Sequence, residues 1–93
     1  YLNILHKNLK ALNKNKYDFV FYVAGVDIHY EDRLGKLKIT DEGIDKRDQI
    51  VIENFYSKNT PLCGVLGGGY NRSFEKLIEL HSMLHKNCAN YFS

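Results

Sequence analysis

At 93 residues, with 44% hydrophobic and 26% charged side chains, the chain has room for one small domain or a piece of a larger one. Its net charge of +2, from 13 basic and 11 acidic residues, implies no nucleic-acid surface. The longest apolar run, Phe19 to Val26, falls far short of the about 20 residues a bilayer span needs, so no membrane partner is expected.

Within the first 15 residues, Leu2, Leu5, Leu9 and Leu12 recur at helical spacing, which predicts an amphipathic helix. Lys7, Lys10, Lys14 and Lys16 read as its solvated face. No basic leader precedes an apolar stretch, and the first residue is Tyr1 rather than Met, so a missing upstream segment is expected. Phe19 to Ala24 is a run of β-branched, aromatic and small residues without alternation, which predicts an interior parallel strand buried on both faces. Gly25 to Lys36 reads as a polar loop. Thr40 is then placed to cap a helix whose first turn carries Asp41 and Glu42 at the positive end of the dipole. Ile44, Ile50, Val51 and Phe55 give that helix its apolar stripe, and it ends around Ser57 to Asn59.

Leu62 to Leu66 predicts a second buried strand, followed at once by Gly67, Gly68, Gly69 and Tyr70. Asn71 or Ser73 caps a last helix with Phe74, Leu77, Ile78, Leu80 and Leu84 on its buried side. Strands alternating with helices imply parallel pairing. Cys63 and Cys88 make no disulfide framework; Cys63 reads as a small buried hydrophobe, and a reducing, cytoplasmic setting is expected. A strand apolar on both faces needs cover on both, which a chain this short cannot supply, so it is expected to be a fragment.

Ligands in open parallel sheets bind beyond the carboxyl ends of the strands. Loops 25–36 and 67–71 both leave such ends, and side by side they could line one pocket. Asp27 and His29 in the first loop are two apart, close enough to share a metal if the loop curls; the plainer reading is that Asp27 caps a loop amide and His29 is satisfied at the surface. Glu31, Asp32 and Arg33 read as a local salt-bridge set, with Asp32 also able to orient ligand residues from behind. The glycine run lacks the Lys-Ser or Lys-Thr of a phosphate loop and the spacing of a dinucleotide fingerprint. It lets backbone pass close to a ligand, or simply turns the chain from strand to helix. Tyr70 can donate its hydroxyl to a developing oxyanion, or pack its ring on the sheet edge. His81 and His85 lie four apart without the Glu of a zincin site and read as surface residues.

Taken together, AGVDIHYEDRLGKLKIT, IDKRDQIVIENF and LGGGYN resemble the C-terminal part of histone deacetylase family proteins. Those proteins carry Gly-x-Asp, then Asp-x-Leu-Gly, then Leu-x-(Leu/Ile)-Thr and a Gly-rich segment ending in Tyr. The likeness runs from residue 17 to residue 85 and leans toward the smaller, bacterial-like and class IV members, because the second segment reads Asp-Arg-Leu-Gly. The resemblance implies an α/β fragment of a parallel-sheet, three-layer arginase/deacetylase-like fold covering residues 1–93. It implies a zinc cofactor that polarises an amide carbonyl and activates water.

Residue by residue, Asp27 matches a zinc ligand and Tyr70 the tyrosine that hydrogen-bonds the substrate carbonyl. Leu34 matches a wall of the acyl-lysine tunnel, and Gly68 and Gly69 match the glycines beside it. His29 has no fixed counterpart, and Arg33 in place of the common Pro puts fine specificity in doubt. The family's Asp-x-His ligand pair and its paired histidines lie upstream; residues 1–26 hold only His6. The implied substrate is an acetylated lysine or a small acetylated amine, with the 93 residues expected to be inactive alone. A non-catalytic remnant, one half of a split protein docking onto the missing N-terminal part in cis or in trans, and a free-standing metal or anion module are the other readings.

Overall fold

Five elements follow in the order helix, strand, helix, strand, helix among residues 1–31, 37–69, 71 and 73–92, which the computed structural model describes. They are α1 (Leu2–Leu12), β1 (Val20–Ala24), α2 (Asp41–Tyr56), β2 (Leu62–Leu66) and α3 (Phe74–Phe92). α1 spans the leucine pattern from Leu2 to Leu12 and ends before the last residues of the stretch 1–15 in which a helix is predicted. Asn13 ends it, donating its backbone N–H to Leu9 O and exchanging amide hydrogen bonds of 2.7 and 3.0 Å with Asn54 of α2. Leu9 carries the buried side of α1, against Val51 and Phe55, while Leu12 is exposed and the four lysines face solvent.

β1 and β2 pair in parallel, from Val20 opposite Leu62 to Ala24 opposite Leu66. Parallel neighbours need a long crossover, and α2 supplies it. Thr40 caps α2 as its sequence predicts, accepting from Gly43 N at 3.1 Å, and Ser73 caps α3, accepting from Lys76 N at 3.2 Å. The sheet face of Val20, Tyr22, Ala24 and Leu62 is covered: Leu9, Val51 and Phe55 pack over one end, Ile52 and Leu84 over the other. Gly64 belongs to this face, where a Cβ would stand 3.2 Å from the methyls of Leu84. Val26, Ile44 and Leu80 continue the core beyond the strand ends.

Cover on both faces of β1 does not occur among the described residues. Phe21 and Val23 are 70% and 66% exposed, and Phe19 joins them with its ring 4.9 Å from that of Phe21. The cause is topological: α1, α2 and α3 build one shared core on the same side of the sheet. The shortest principal extent, 18 Å, accommodates one helix layer on one sheet. Two further expectations are corrected on α3, where Phe74 and Ile78 are exposed. On a 3.6-residue helix Ile78 stands about 100° and Phe74 about 60° round from Leu77, on the side away from Leu80 and Leu84. Cys63 is half-buried rather than buried. No helix among the described residues is long and apolar enough to cross a membrane.

Candidate functional site at the strand ends

The described parts of the two strand-end loops lie side by side. Past Ala24 the chain leaves the sheet at Gly25, and Val26 N donates to Gly68 O at 2.7 Å. Every glycine of the run is pressed against the first loop. A Cβ on Gly67 would stand 2.9 Å from both N and Cα of Gly25, and one on Gly69 would stand 2.6 Å from a methyl of Val26. One on Gly68 would stand 2.9 Å from Oδ2 of Asp27. No described glycine has a positive φ, so the run serves close approach of two backbones rather than a left-handed turn.

Asp27 is exposed at this edge, with its carboxylate between two Cβ-less residues: the Cβ position of Gly25 lies 3.2 Å from Oδ1. His29 goes elsewhere. The chain turns between them, with His29 N donating to Val26 O at 3.2 Å, and the imidazole is fully buried. Its Nδ1 accepts from Glu31 N at 3.2 Å and faces the Asn71 amide at 3.3 Å, which leaves the proton on Nε2, 2.5 Å from Oδ1 of Asp41. Both nitrogens are committed, so His29 neither shares a metal with Asp27 nor sits at the surface.

Loop 28–30 is braced from the side by residue 39, through Ile39 N to Ile28 O and Tyr30 N to Ile39 O, each 2.9 Å. That brings Asp41, at the start of α2, under the histidine. The second Asp41 oxygen meets Lys76 Nζ at 2.5 Å, tying the first turns of α2 and α3 together. Asp41 is held below the usual carboxylate range, first by that hydrogen bond, against the opposing effect of burial and with help from His29. Lys76 is raised by the same bond.

Behind the loop lies a charged pair that helical periodicity does not reveal. Arg47 and Asp48 of α2 are buried, at 6% and 1% exposure. Arg47 reaches Asp48 Oδ1 with Nε at 3.1 Å and with Nη2 at 3.0 Å, and donates from Nη1 to Gly25 O at 2.5 Å. Tyr22 donates to the same Asp48 oxygen at 2.5 Å, with the guanidinium 5.7 Å from its ring centre. Burial, opposed by Arg47 and reinforced by Asp48, pushes the Tyr22 hydroxyl far above its ordinary range. His81 also departs from its surface reading: it is half-buried beneath Gly69, and its Nδ1 has no partner among the described residues. Burial first, then the Arg47 and His85 charges, lowers its pKa.

Of the predicted site residues, Asp27, Gly68 and Gly69 meet at one edge, with Gly68 exposed and Gly69 half-buried. Tyr70, Leu34, Asp32 and Arg33 lie outside the described residues. Among the described residues no group of three or more His, Cys, Asp or Glu side chains converges. Asp27 fits a zinc ion as a single carboxylate ligand with open space around it; zinc sites commonly take three or four protein ligands.

A sequence model of the histone deacetylase domain matches residues 1–84. The chain belongs to the histone deacetylase family. An uncharacterized protein of Picosynechococcus sp. is 42% identical over 93 residues, covering 99% of this chain and 31% of that protein. Histone deacetylase 2 of Arabidopsis thaliana is 39% identical over 79 residues, covering 84% of this chain and 20% of that protein. The chain thus spans under a third of the length of these relatives. The family match includes α1, which the motif resemblance had left out. The two-stranded parallel α/β layer is what an α/β fragment of a deacetylase fold provides.

Proposed function

We propose that residues 1–93 build the Asp27–Tyr70 side of a zinc-dependent deacetylase site that hydrolyses acetyl-lysine or a related N-acetyl amide. The observation that carries the reading is the placement of the Asp27 carboxylate. It stands at the carboxyl ends of both parallel strands, where α/β sheets bind ligands, backed by Gly25 and Gly68 and exposed in front. A zinc ion held there would supply the polarisation of the amide carbonyl and the activation of water. In this reading Asp27 holds the metal through a carboxylate oxygen. Tyr70, next after Gly69, donates its hydroxyl to the substrate carbonyl oxygen as negative charge builds on it. Gly68 and Gly69 leave room for the acyl-lysine stem, Leu34 walls it, and Asp32 orients its neighbours from behind. The remaining zinc ligands and the base come from residues other than these, as part of the same domain.

Acetate release from an acetyl-lysine peptide and from an acetylated polyamine tests the reading. The native protein that contains these residues should release acetate in a chelator-sensitive way and lose that activity in Tyr70→Phe, while the 93 residues alone should not. Zinc-loaded native protein inert toward both substrates would rule it out.

The uncovered sheet face favours a second, compatible reading, that this chain docks onto the rest of a deacetylase domain, in cis or in trans. Phe19, Phe21 and Val23 present an apolar surface of the kind that interiors cover. The intact mass of native protein captured with an antibody to this segment decides the form. A mass of several times 10.8 kDa means docking in cis. A mass of 10.8 kDa with a co-purifying partner means docking in trans, and the same mass without one leaves a non-catalytic remnant.

A further inference from the structure

Arg47 and Asp48 are an expensive way to fill a helix–sheet interface. Removing two charges from water carries a large desolvation penalty, and an apolar pair of similar volume often gives a fold at least as stable. Stability alone therefore does not account for the pair. What the guanidinium does that an apolar side chain cannot is divide its donors. Nε and Nη2 hold Asp48 Oδ1, and Nη1 holds Gly25 O. The sheet register ends at Ala24 opposite Leu66, so Gly25 is the first residue beyond it. Its carbonyl is gripped from the α2 side by Arg47, while the next residue, Val26, is tied to Gly68 on the other side. Two residues on, the Asp27 carboxylate rests on the bare backbones of those same two glycines.

We infer that Arg47 is a positioning residue for Asp27, fixing the Gly25 carbonyl so that the Asp27 carboxylate keeps one orientation toward a metal. Asp48 and Tyr22 hold the guanidinium in turn, the tyrosine through its hydrogen bond to the shared carboxylate oxygen. The inference rests on the proposed role of Asp27 as a zinc ligand. A lysine at 47 would keep the charge opposite Asp48, but one ammonium cannot reproduce a planar fork that spans a carboxylate and a carbonyl.

The test is zinc affinity of the native protein, read by competition with a chromophoric chelator, alongside the thermal midpoint of the metal-free form. Arg47→Met alone strands Asp48 without its partner and threatens folding, so Arg47→Met/Asp48→Asn is the variant of choice; its Asn keeps an acceptor for Tyr22. The expected result is zinc binding weaker by about 10- to 100-fold, as for residues that orient a ligand, with the metal-free midpoint near that of wild type. Arg47→Lys, which keeps a charge opposite Asp48, should weaken zinc by a smaller factor. A purely structural pair would shift the midpoint and leave the affinity of the folded protein alone; wild-type affinity in both variants, with loss in Asp27→Asn, overturns this inference and spares the role of Asp27. Unchanged zinc in Asp27→Asn removes the proposed function and this inference with it.

Discussion

Oδ2 of Asp27 lies 2.9 Å from the point where a side chain on Gly68 would begin. The contact involves the end of a short side chain rather than backbone, so an added methyl can be accommodated by turning the carboxylate. Gly67 differs, because its Cβ would meet N and Cα of Gly25 at 2.9 Å, and backbone cannot turn aside. Gly68→Ala should therefore leave the thermal midpoint almost unchanged while weakening zinc about 10- to 100-fold. Gly67→Ala should destabilise the fold by about 1–3 kcal/mol. Paired melts and zinc titrations check this, and equal behaviour of the two variants would count against the close-approach account.

His29 makes the opposite prediction. Its two nitrogens are spent on Asp41, Glu31 N and the Asn71 amide, so it supports the loop without touching metal. His29→Leu should cost roughly 1–3 kcal/mol, the penalty for leaving buried polar partners unmet, with zinc stoichiometry unchanged in whatever fraction folds. A folded His29→Leu protein lacking zinc would identify the histidine as a ligand after all.

Acid should loosen the junction between α2 and α3. The Asp41 carboxyl is held below 3.8 in the fold, chiefly by Lys76. A carboxyl lower in the folded state adds stability that is present above its unfolded value and lost as pH falls through its folded one. Stability should thus fall as pH drops below 3.8, and Asp41→Asn should lack that part of the fall. Urea melts at about pH 5 and about pH 3 measure it. An equal fall in both proteins would clear Asp41 of the effect.

The bare sheet face should behave differently in the short chain and in the native protein, if it docks onto the rest of the domain. Phe21→Ser/Val23→Thr should keep the isolated 93 residues monomeric at higher concentration, since it removes exposed apolar surface. In the native protein the same change should lower the thermal midpoint, because the face is then interior. Sedimentation and melts report both, and no effect on the native midpoint would mean that the face stays open.

Local signals were readable in advance wherever one element settles its own fate. Thr40 ahead of Asp41 and Glu42 announces a helix start, and the Leu62–Leu66 run between Pro61 and the glycines announces a strand. The meeting of the 25–27 and 67–69 loops followed from parallel pairing alone. What escaped depends on partners distant in sequence. Arg47 and Asp48 look like solvent-facing charges until Tyr22 and Gly25 arrive beside them. His29 looks like a surface residue until Asp41 and Asn71 close around it. Phe21 and Val23 look interior, and nothing local tells which layer covers them.

Zinc content of the native protein in wild-type and Asp27→Asn forms, measured by elemental analysis after purification in trace-metal buffer, tests the central claim most directly. The account predicts one zinc per wild-type chain and a loss of it in Asp27→Asn, with the fold retained because the carboxylate is exposed and no buried partner among the described residues depends on it. A folded Asp27→Asn protein that keeps its zinc would contradict it.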